Sequence, residues 1–255
     1  MQKKKSLGQH FLRNHAILAK IVAAADLGSD DTVLEVGPGE GDLTALLLEK
    51  ARKVVAVEKD DRLIPFLQEK FAAEITAGKL ELVHADILSS NPSAYGLMPS
   101  AYAIVANLPY YITGQFLRRF LETEAQPASM TLLLQKEVAR RIVAADLKES
   151  VLSVSIKAYG TPRIIGIVKA GSFSPPPKVD SAIIQIADIS KKFFANISEE
   201  RFFALLKRGF AHPRKLLSSN LGIAPETLQR TGISEKARAE DLSLAQWKII
   251  AGLSR

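Results

Sequence analysis

The residues of this chain best suited to chemistry lie in two short motifs about seventy residues apart. The first, Glu-Val-Gly-Pro-Gly-Glu-Gly at residues 35–41, separates an apolar run from a segment of helical periodicity. Glycines at such a turn let the backbone approach a ligand, and the following helix points N–H groups at it. The second, Asn-Leu-Pro-Tyr at residues 107–110, offers an amide, backbone carbonyls and an aromatic ring. Together they predict a site that holds an adenine amino group against a nucleoside cofactor.

The glycine segment alone would also suit a dinucleotide dehydrogenase, whose fingerprint is Gly-x-Gly-x-x-Gly. Here the glycines stand at 37, 39 and 41, and residue 42 is Asp. Glu58 ends the next strand, where an acid binds ribose hydroxyls, and Asp86 follows the third strand, where it could accept an adenine amino group. Singly, these acids could equally cap helices or lie solvated at strand ends. With Asn107 after the fourth strand, the set favours S-adenosylmethionine over NAD.

The elements that position these residues alternate along the chain. Apolar runs separated by helical segments indicate a parallel sheet covered on both faces. The predicted strands are 32–36, 54–57, 80–83, 103–106, 130–134, 163–168 and 181–187. The predicted helices, the first capped by Asn14, are 14–25, 43–50, 61–74, 113–124, 136–145 and 151–157, followed by 198–209, 213–221, 225–230 and 243–253.

This order predicts an α/β fold of two domains. Residues 1–189 are expected to form a mostly parallel, Rossmann-like sheet that binds S-adenosylmethionine. Residues 190–255 contain no predicted strand and are expected to form a small all-helical domain.

Positive charge is concentrated in the second domain. Residues 189–255 contain 12 Lys and Arg against 6 Asp and Glu, which accounts for +6 of the net charge of +7. Five basic residues and no acid lie between Arg201 and Lys215. A basic field on a small module is typical of a polyanion partner, although a solvated helix face would also look like this.

Composition excludes several other functions. The chain has no cysteine, so disulfides and thiolate metal sites are ruled out, and a reducing compartment fits. The four histidines, at 10, 15, 84 and 212, lack ligand spacing, and no metal is expected. No apolar run approaches the roughly 18 residues of a membrane span. The basic N-terminus is superficially like a transit peptide, but motif residues begin by Ser6, and a cytoplasmic protein is expected.

The motifs, taken together, resemble the KsgA (RsmA) family of small-subunit ribosomal RNA adenine dimethyltransferases over nearly the whole chain. The matching blocks are residues 5–12, 35–41, 58, 86–87, 107–110, 134–138 and 173–181, with a basic pair at 214–215. His10 departs from the family, because many members have Asn there. The resemblance implies that residues 1–189 form a Rossmann-like S-adenosylmethionine-dependent methyltransferase sheet, mostly parallel with one antiparallel edge strand. It also implies S-adenosylmethionine as donor and two adjacent adenosines near the 3′ end of 16S rRNA as substrate. A small-subunit precursor is the expected partner, and a monomer is expected.

Carried onto this sequence, the family motifs imply three groups of site residues. Catalysis is expected from Asn107, Leu108, Pro109, Tyr110 and Phe173. Cofactor binding is expected from Gln9, His10, Leu12, Gly37, Gly39, Glu58, Lys59, Asp86, Ile87 and Asn107. RNA binding is expected from Arg208, Arg214 and Lys215.

Three other functions would fit part of this pattern. A zinc adenine deaminase would need cysteine ligands and a His-x-Glu motif, and the chain has no cysteine. An Erm-type enzyme shares the fold and methylates 23S rRNA, but the blocks at 134–138 and 173–181 favour the small-subunit enzyme. A non-catalytic assembly or transcription factor of the same fold would have no need of the intact Asn-Leu-Pro-Tyr.

Overall fold

The computed structural model describes residues 11–253, which form two compact units. Within this range, the first unit comprises 11–139 and 163–189, and the second comprises 140–162 and 190–253. Through residue 143 the elements are β1 (Phe11–Leu12), α1 (His15–Ala25), β2 (Thr32–Val36), α2 (Asp42–Lys50), β3 (Lys53–Glu58), α3 (Leu63–Lys70), α4 (Ala72–Thr76), β4 (Leu80–His84), β5 (Tyr102–Asn107), α5 (Thr113–Glu122), β6 (Ser129–Gln135) and α6 (Lys136–Val143). The later elements are α7 (Val151–Lys157), β7 (Thr161–Val168), β8 (Phe173–Ser174), β9 (Ser181–Ala187), α8 (Glu199–Gly209), α9 (Leu217–Leu221), α10 (Pro225–Arg230) and α11 (Leu244–Leu253).

A seven-stranded sheet organises the first unit, in the order β4-β3-β2-β5-β6-β9-β7. The five neighbouring strands β4, β3, β2, β5 and β6 run parallel to one another. Strand β9 runs antiparallel to β6, and β7 follows β9 as the last strand of the sheet. The central strands are buried along most of their length, and most of their buried side chains are apolar, as a sheet covered on both faces requires. Glu35 of β2 and Thr131 of β6 are buried polar exceptions. The predicted Rossmann-like, mostly parallel sheet is confirmed.

Two helix predictions differ from the structure. The single helix expected over 61–74 is two helices, α3 and α4, separated at Phe71, whose side chain is buried. The helix expected over 213–221 begins only at Leu217, because Leu216 is extended and the Leu217 N–H donates to the carbonyl of Ala237. The predicted cap is confirmed: the Asn14 side chain accepts the N–H of Ile17.

The second unit is built from helices around its own apolar core. Phe202 and Leu206 of α8 and Trp247 of α11 are fully buried there, and α7 contributes Val154. The sequence predicts that the second domain begins at residue 190, whereas in the structure residues 140–162 also belong to this unit. Over residues 11–253, none of the helices is long and apolar enough to span a membrane.

Candidate active site

One pocket gathers most of the predicted site residues at the edge of the sheet where the parallel strands end. It is lined by the glycine segment after β2, by the ends of β3 and β5, by the loop after β4 and by β8. Crevices at the carboxyl ends of parallel strands are the usual ligand sites of such folds. The predicted residues lining it are Leu12, Gly37, Gly39, Glu58, Lys59, Asp86, Ile87, Asn107, Leu108, Pro109, Tyr110 and Phe173. Gln9 and His10 lie outside the described residues.

The glycine segment forms a tight turn from β2 into α2. Gly41 has φ +81°, and a Cβ there would lie 2.5 Å from the ring of Phe71, so both conformation and packing require glycine. Gly37 is held by its N–H, which donates to the Val57 carbonyl at 2.9 Å. A Cβ on Gly37 would meet no atom within 4 Å, so this part of the turn borders open space in the pocket.

Glu58, at the end of β3, is buried against this turn. Its carboxylate accepts the N–H of Gly39 at 3.2 Å and the N–H of Asp60 at 2.7 Å. Burial raises the pKa of Glu58, and these backbone donors partly offset that effect. The contacts fix the orientation of a carboxylate that has lone pairs left for a ligand.

Asp86 is paired with Lys59 across the mouth of the pocket. The Lys59 Nζ lies 2.7 Å from one oxygen of Asp86, while the other oxygen accepts the N–H of Leu88 at 3.0 Å. The hydrogen bond from Lys59 holds the pKa of Asp86 below its ordinary value. An adenine amino group that binds Asp86 must therefore share this carboxylate with an ammonium.

Glu35 is a pocket residue to which the sequence analysis gave no separate role. It lies in β2, is 1% exposed, and neither of its carboxyl oxygens has a hydrogen-bond partner among the described residues. The Thr44 hydroxyl is near enough to lower the pKa of Glu35 but makes no well-formed hydrogen bond to it. Burial, reinforced by the neighbouring Glu58, raises the pKa of Glu35 to about 8. A positively charged ligand at this wall would favour the ionised form of Glu35 and lower this pKa.

The Asn-Leu-Pro-Tyr segment turns away from the sheet directly after β5. Asn107 is the last residue of the strand, and the Leu108 N–H still donates to the Leu133 carbonyl at 3.3 Å. Pro109 is extended, and a short 3-10 turn then begins at Tyr110. The phenol oxygen of Tyr110 lies 2.8 Å from the hydroxyl oxygen of Ser181. Backbone pairing and proline thus fix the amide, the carbonyls and the ring at one edge.

Phe173 closes the pocket from the opposite side. It belongs to β8, which pairs antiparallel with β1 so that Leu12 faces Phe173 and Phe11 faces Ser174. Only 5% of Phe173 is exposed, because its ring packs among apolar side chains of the core. Phe173 also lines the pocket.

The three predicted RNA-binding residues lie in the second unit. Arg214 and Lys215 are exposed in the turn between α8 and α9. Arg208, in the last turn of α8, donates from its guanidinium to the Leu221 carbonyl at 2.7 Å. Its role is therefore at least partly structural, whereas the side chains of Arg214 and Lys215 face solvent.

The fold and the pocket define the class of protein. A mostly parallel sheet with an antiparallel β9, a glycine turn after β2 and acids at the ends of the next two strands characterise the Rossmann-like methyltransferases. Two solved structures share this architecture. A dimethyladenosine transferase from Plasmodium falciparum aligns with a TM-score of 0.83 at 26% identity, covering 96% of this chain and 97% of that one. The 23S rRNA methyltransferase ErmE aligns at 0.80 with 28% identity, covering 96% and 100%.

Sequence comparison then gives the family. The profile described as ribosomal RNA adenine dimethylase matches residues 1–253. The ribosomal RNA small subunit methyltransferase A of Dehalococcoides mccartyi strain 195 is 43% identical over 98% of this chain and 88% of its own length. The protein of the same name from Clostridium botulinum strain Okra is 37% identical over 95% and 90%. The chain belongs to the ribosomal RNA adenine dimethylases, a family of S-adenosylmethionine-dependent methyltransferases.

Proposed function

We propose that this enzyme transfers methyl groups from S-adenosylmethionine to N6 of two adjacent adenosines in the 3′-terminal hairpin loop of 16S rRNA, giving N6,N6-dimethyladenosine. The observation that carries the proposal is the meeting of Asn107, Tyr110, Glu58 and Asp86 around one pocket in a chain of this family. The substrate is the RNA within a small-subunit precursor, and the enzyme works in the cytoplasm as a monomer.

The pocket has acceptor groups and space for the cofactor. S-Adenosylmethionine, when bound, supplies an electrophilic methyl group on a positively charged sulfur and would leave as S-adenosylhomocysteine. The two buried carboxyl oxygens of Glu35 have no hydrogen-bond partner among the described residues, and the open space beside Gly37 leaves room for a ligand. A cation bound there would favour the charged form of Glu35. Glu58 would bind the ribose hydroxyls, and Asp86 with Ile87 would hold the adenine ring.

Asn107 and Leu108 would prepare the target nitrogen. The N6 lone pair of adenine is delocalised into the ring, so this nitrogen is a poor nucleophile. The Asn107 side-chain oxygen and the Leu108 carbonyl can accept its two hydrogens, which localises the lone pair on N6 for attack. Holding the reacting atoms in line at near-attack distance supplies much of the rate of such a displacement. No strong base is needed, because the N6 proton becomes acidic only as the new bond forms.

Tyr110 and Phe173 would hold the extruded base between them. Enzymes that modify a base take it out of its stack, and aromatic rings replace the lost stacking. Tyr110 is half-buried, Phe173 is almost fully buried, and both line the pocket. The second transfer requires the monomethylated base to bind again with its first methyl group rotated away from the cofactor. A site with room for that rotation would produce dimethyladenosine.

Arg214, Lys215 and Arg208 would bind the RNA backbone. Phosphate contacts fix register without reading sequence, so this surface would recognise the shape of a folded subunit. Arg214 and Lys215 lie in one turn, and both side chains are exposed to solvent, where they could contact phosphates.

An Erm-type activity on 23S rRNA is the second candidate, since ErmE aligns over the whole fold. Its identity of 28% is well below the 43% shared with a relative named for the small subunit, which favours 16S rRNA.

The test is methyl transfer from labelled S-adenosylmethionine to purified ribosomal particles. Immature small subunits should take up label at two adjacent adenosines, up to four methyl groups in all, and large subunits should take up none. Asn107→Ala should abolish incorporation. Asn91→Ala, which removes an exposed amide capping a 3-10 turn, is the matched control and should retain it. Label in the large subunit alone would overturn the proposal in favour of the Erm-type activity.

A further inference from the structure

Ser181 has a buried hydroxyl group that contacts the aromatic side chain of Tyr110 in the candidate active site. Its oxygen lies 2.8 Å from the phenol oxygen of Tyr110, although the two residues are 71 positions apart in the chain. Ser181 is 0% exposed and is not among the residues that line the pocket. Any effect of this hydroxyl on a bound ligand must therefore pass through another residue.

The sheet explains how the two residues meet. Asn107 at the end of β5 pairs with Leu133 of β6, and Gln135 at the end of β6 pairs with Ser181 of β9. Because β9 runs antiparallel, its first residue lies at the edge where the parallel strands finish. Tyr110 therefore follows β5 in the chain, while its phenol oxygen lies within hydrogen-bonding distance of a residue of β9.

Ser181 itself is held firmly by the preceding residue. The Asp180 carbonyl accepts the Lys136 N–H at 3.0 Å, and its carboxylate accepts the Ala170 N–H at 3.1 Å and the Lys169 ammonium at 3.0 Å. These bonds tie the start of β9 to the end of β6 and to the loop before β8. The hydroxyl is thus attached to a rigid point of the sheet.

We infer that Ser181 is a positioning residue for base methylation: its hydroxyl anchors the phenol oxygen of Tyr110 and so fixes where the ring lies, so that an extruded adenine stacks on it with N6 facing Asn107. The inference rests on the proposed function. Rotation of the Tyr110 side chain about its Cα–Cβ bond would displace the phenol oxygen, and ordering this torsion for each turnover would slow the reaction. The hydrogen bond to Ser181 restrains that rotation before the substrate arrives.

The experiment is a double-mutant cycle of Ser181→Ala and Tyr110→Phe on small-subunit substrate. A neutral hydrogen bond of this kind corresponds to a change of about 2- to 12-fold. Ser181→Ala should lower kcat by that factor, with KM for the particle and Kd for S-adenosylmethionine unchanged. In the Tyr110→Phe background, which already lacks the phenol oxygen, Ser181→Ala should have no further effect. Equal losses in both backgrounds, or no loss in the wild-type background, would overturn the inference.

Two controls separate positioning from stability and from the proposed function. Thr131→Val removes another buried hydroxyl, on neighbouring β6, that makes no hydrogen bond among the described residues, and should leave kcat unchanged. Without any RNA, ¹³C-tyrosine NMR should show faster rotation of the Tyr110 side chain about its Cα–Cβ bond in Ser181→Ala than in Thr131→Val, and an unchanged rotation would contradict the inference. If the wild-type enzyme methylated no particle while the NMR difference persisted, the proposed function would fail and the restraint on the ring would stand.

Discussion

Glu35 should make the folding stability of the first unit depend on pH, and Glu35→Gln should remove that dependence. The carboxyl group is fully buried and has no hydrogen-bond partner among residues 11–253, and its pKa rises from 4.5 to about 8 on folding. Between these values the folded protein keeps a proton that the unfolded chain has released. Rising pH therefore favours the unfolded state, and the penalty is complete above about pH 8.

The magnitude follows from the difference of one proton. Stability should fall by about 1.4 kcal/mol for each pH unit while the two states differ by one bound proton. Glutamine has nearly the same shape and carries no charge, so the variant escapes this penalty. The stability of Glu35→Gln relative to wild type should increase by about 2–3 kcal/mol between roughly pH 5.5 and 7.5.

Urea unfolding at constant ionic strength, with variant and wild type measured at each pH, tests this prediction. The control is Glu49→Gln, which neutralises an exposed glutamate of α2 and should give a stability difference independent of pH. Glu58 and Lys70 are the charged groups that act on Glu35, so neither is altered. A difference between Glu35→Gln and wild type that does not change with pH would refute the reasoning, because it would mean that Glu35 is charged in the folded protein.

Further predictions concern the proposed roles. Glu58→Ala should weaken S-adenosylmethionine binding by about 1.5–3 kcal/mol, since the ribose hydroxyls lose a charged acceptor; unchanged affinity by calorimetry would place the ribose elsewhere. Asn107→Ala should abolish turnover with a much smaller loss of cofactor affinity, and Asn107→Asp should keep part of the activity; full activity of the alanine variant would remove Asn107 from catalysis. Tyr110→Ala should lose more activity than Tyr110→Phe, because stacking is worth about 1–3 kcal/mol; equal losses would point to the hydroxyl alone. Replacing Arg214 and Lys215 with Ala should make the salt dependence of RNA binding shallower by about one slope unit per lost contact. The control is Lys50→Ala with Arg52→Ala, an equal charge change in the first unit, which should leave the salt dependence unchanged. Equal slopes for both pairs would mean that the basic turn only aids solubility.

The sequence predicted the sheet and the pocket because both depend on local patterns. Continuous apolar runs identify buried parallel strands, and the carboxyl ends of such strands meet at one edge. The glycine turn and the Asn-Leu-Pro-Tyr segment each lie directly after such a run, so their convergence follows from topology alone.

Contacts set by distant packing could not be predicted in this way. The sequence places Glu35 in the glycine motif, but nothing local shows that packing buries its carboxyl group with no hydrogen-bond partner in the described part of the chain. The Ser181 contact with Tyr110 depends on the antiparallel register of β9 against β6. The bond from Arg208 to the Leu221 carbonyl likewise requires α8 and α9 to be in place.

The most direct test of the central claim is mass mapping of methylated adenosines in 16S and 23S rRNA from cells with and without this gene. The account predicts two adjacent N6,N6-dimethyladenosines in the 3′-terminal hairpin loop of 16S rRNA that disappear with the gene and return with the wild-type chain but not with Asn107→Ala. Unchanged 16S rRNA, with loss of a methylated adenosine from 23S rRNA instead, would contradict it.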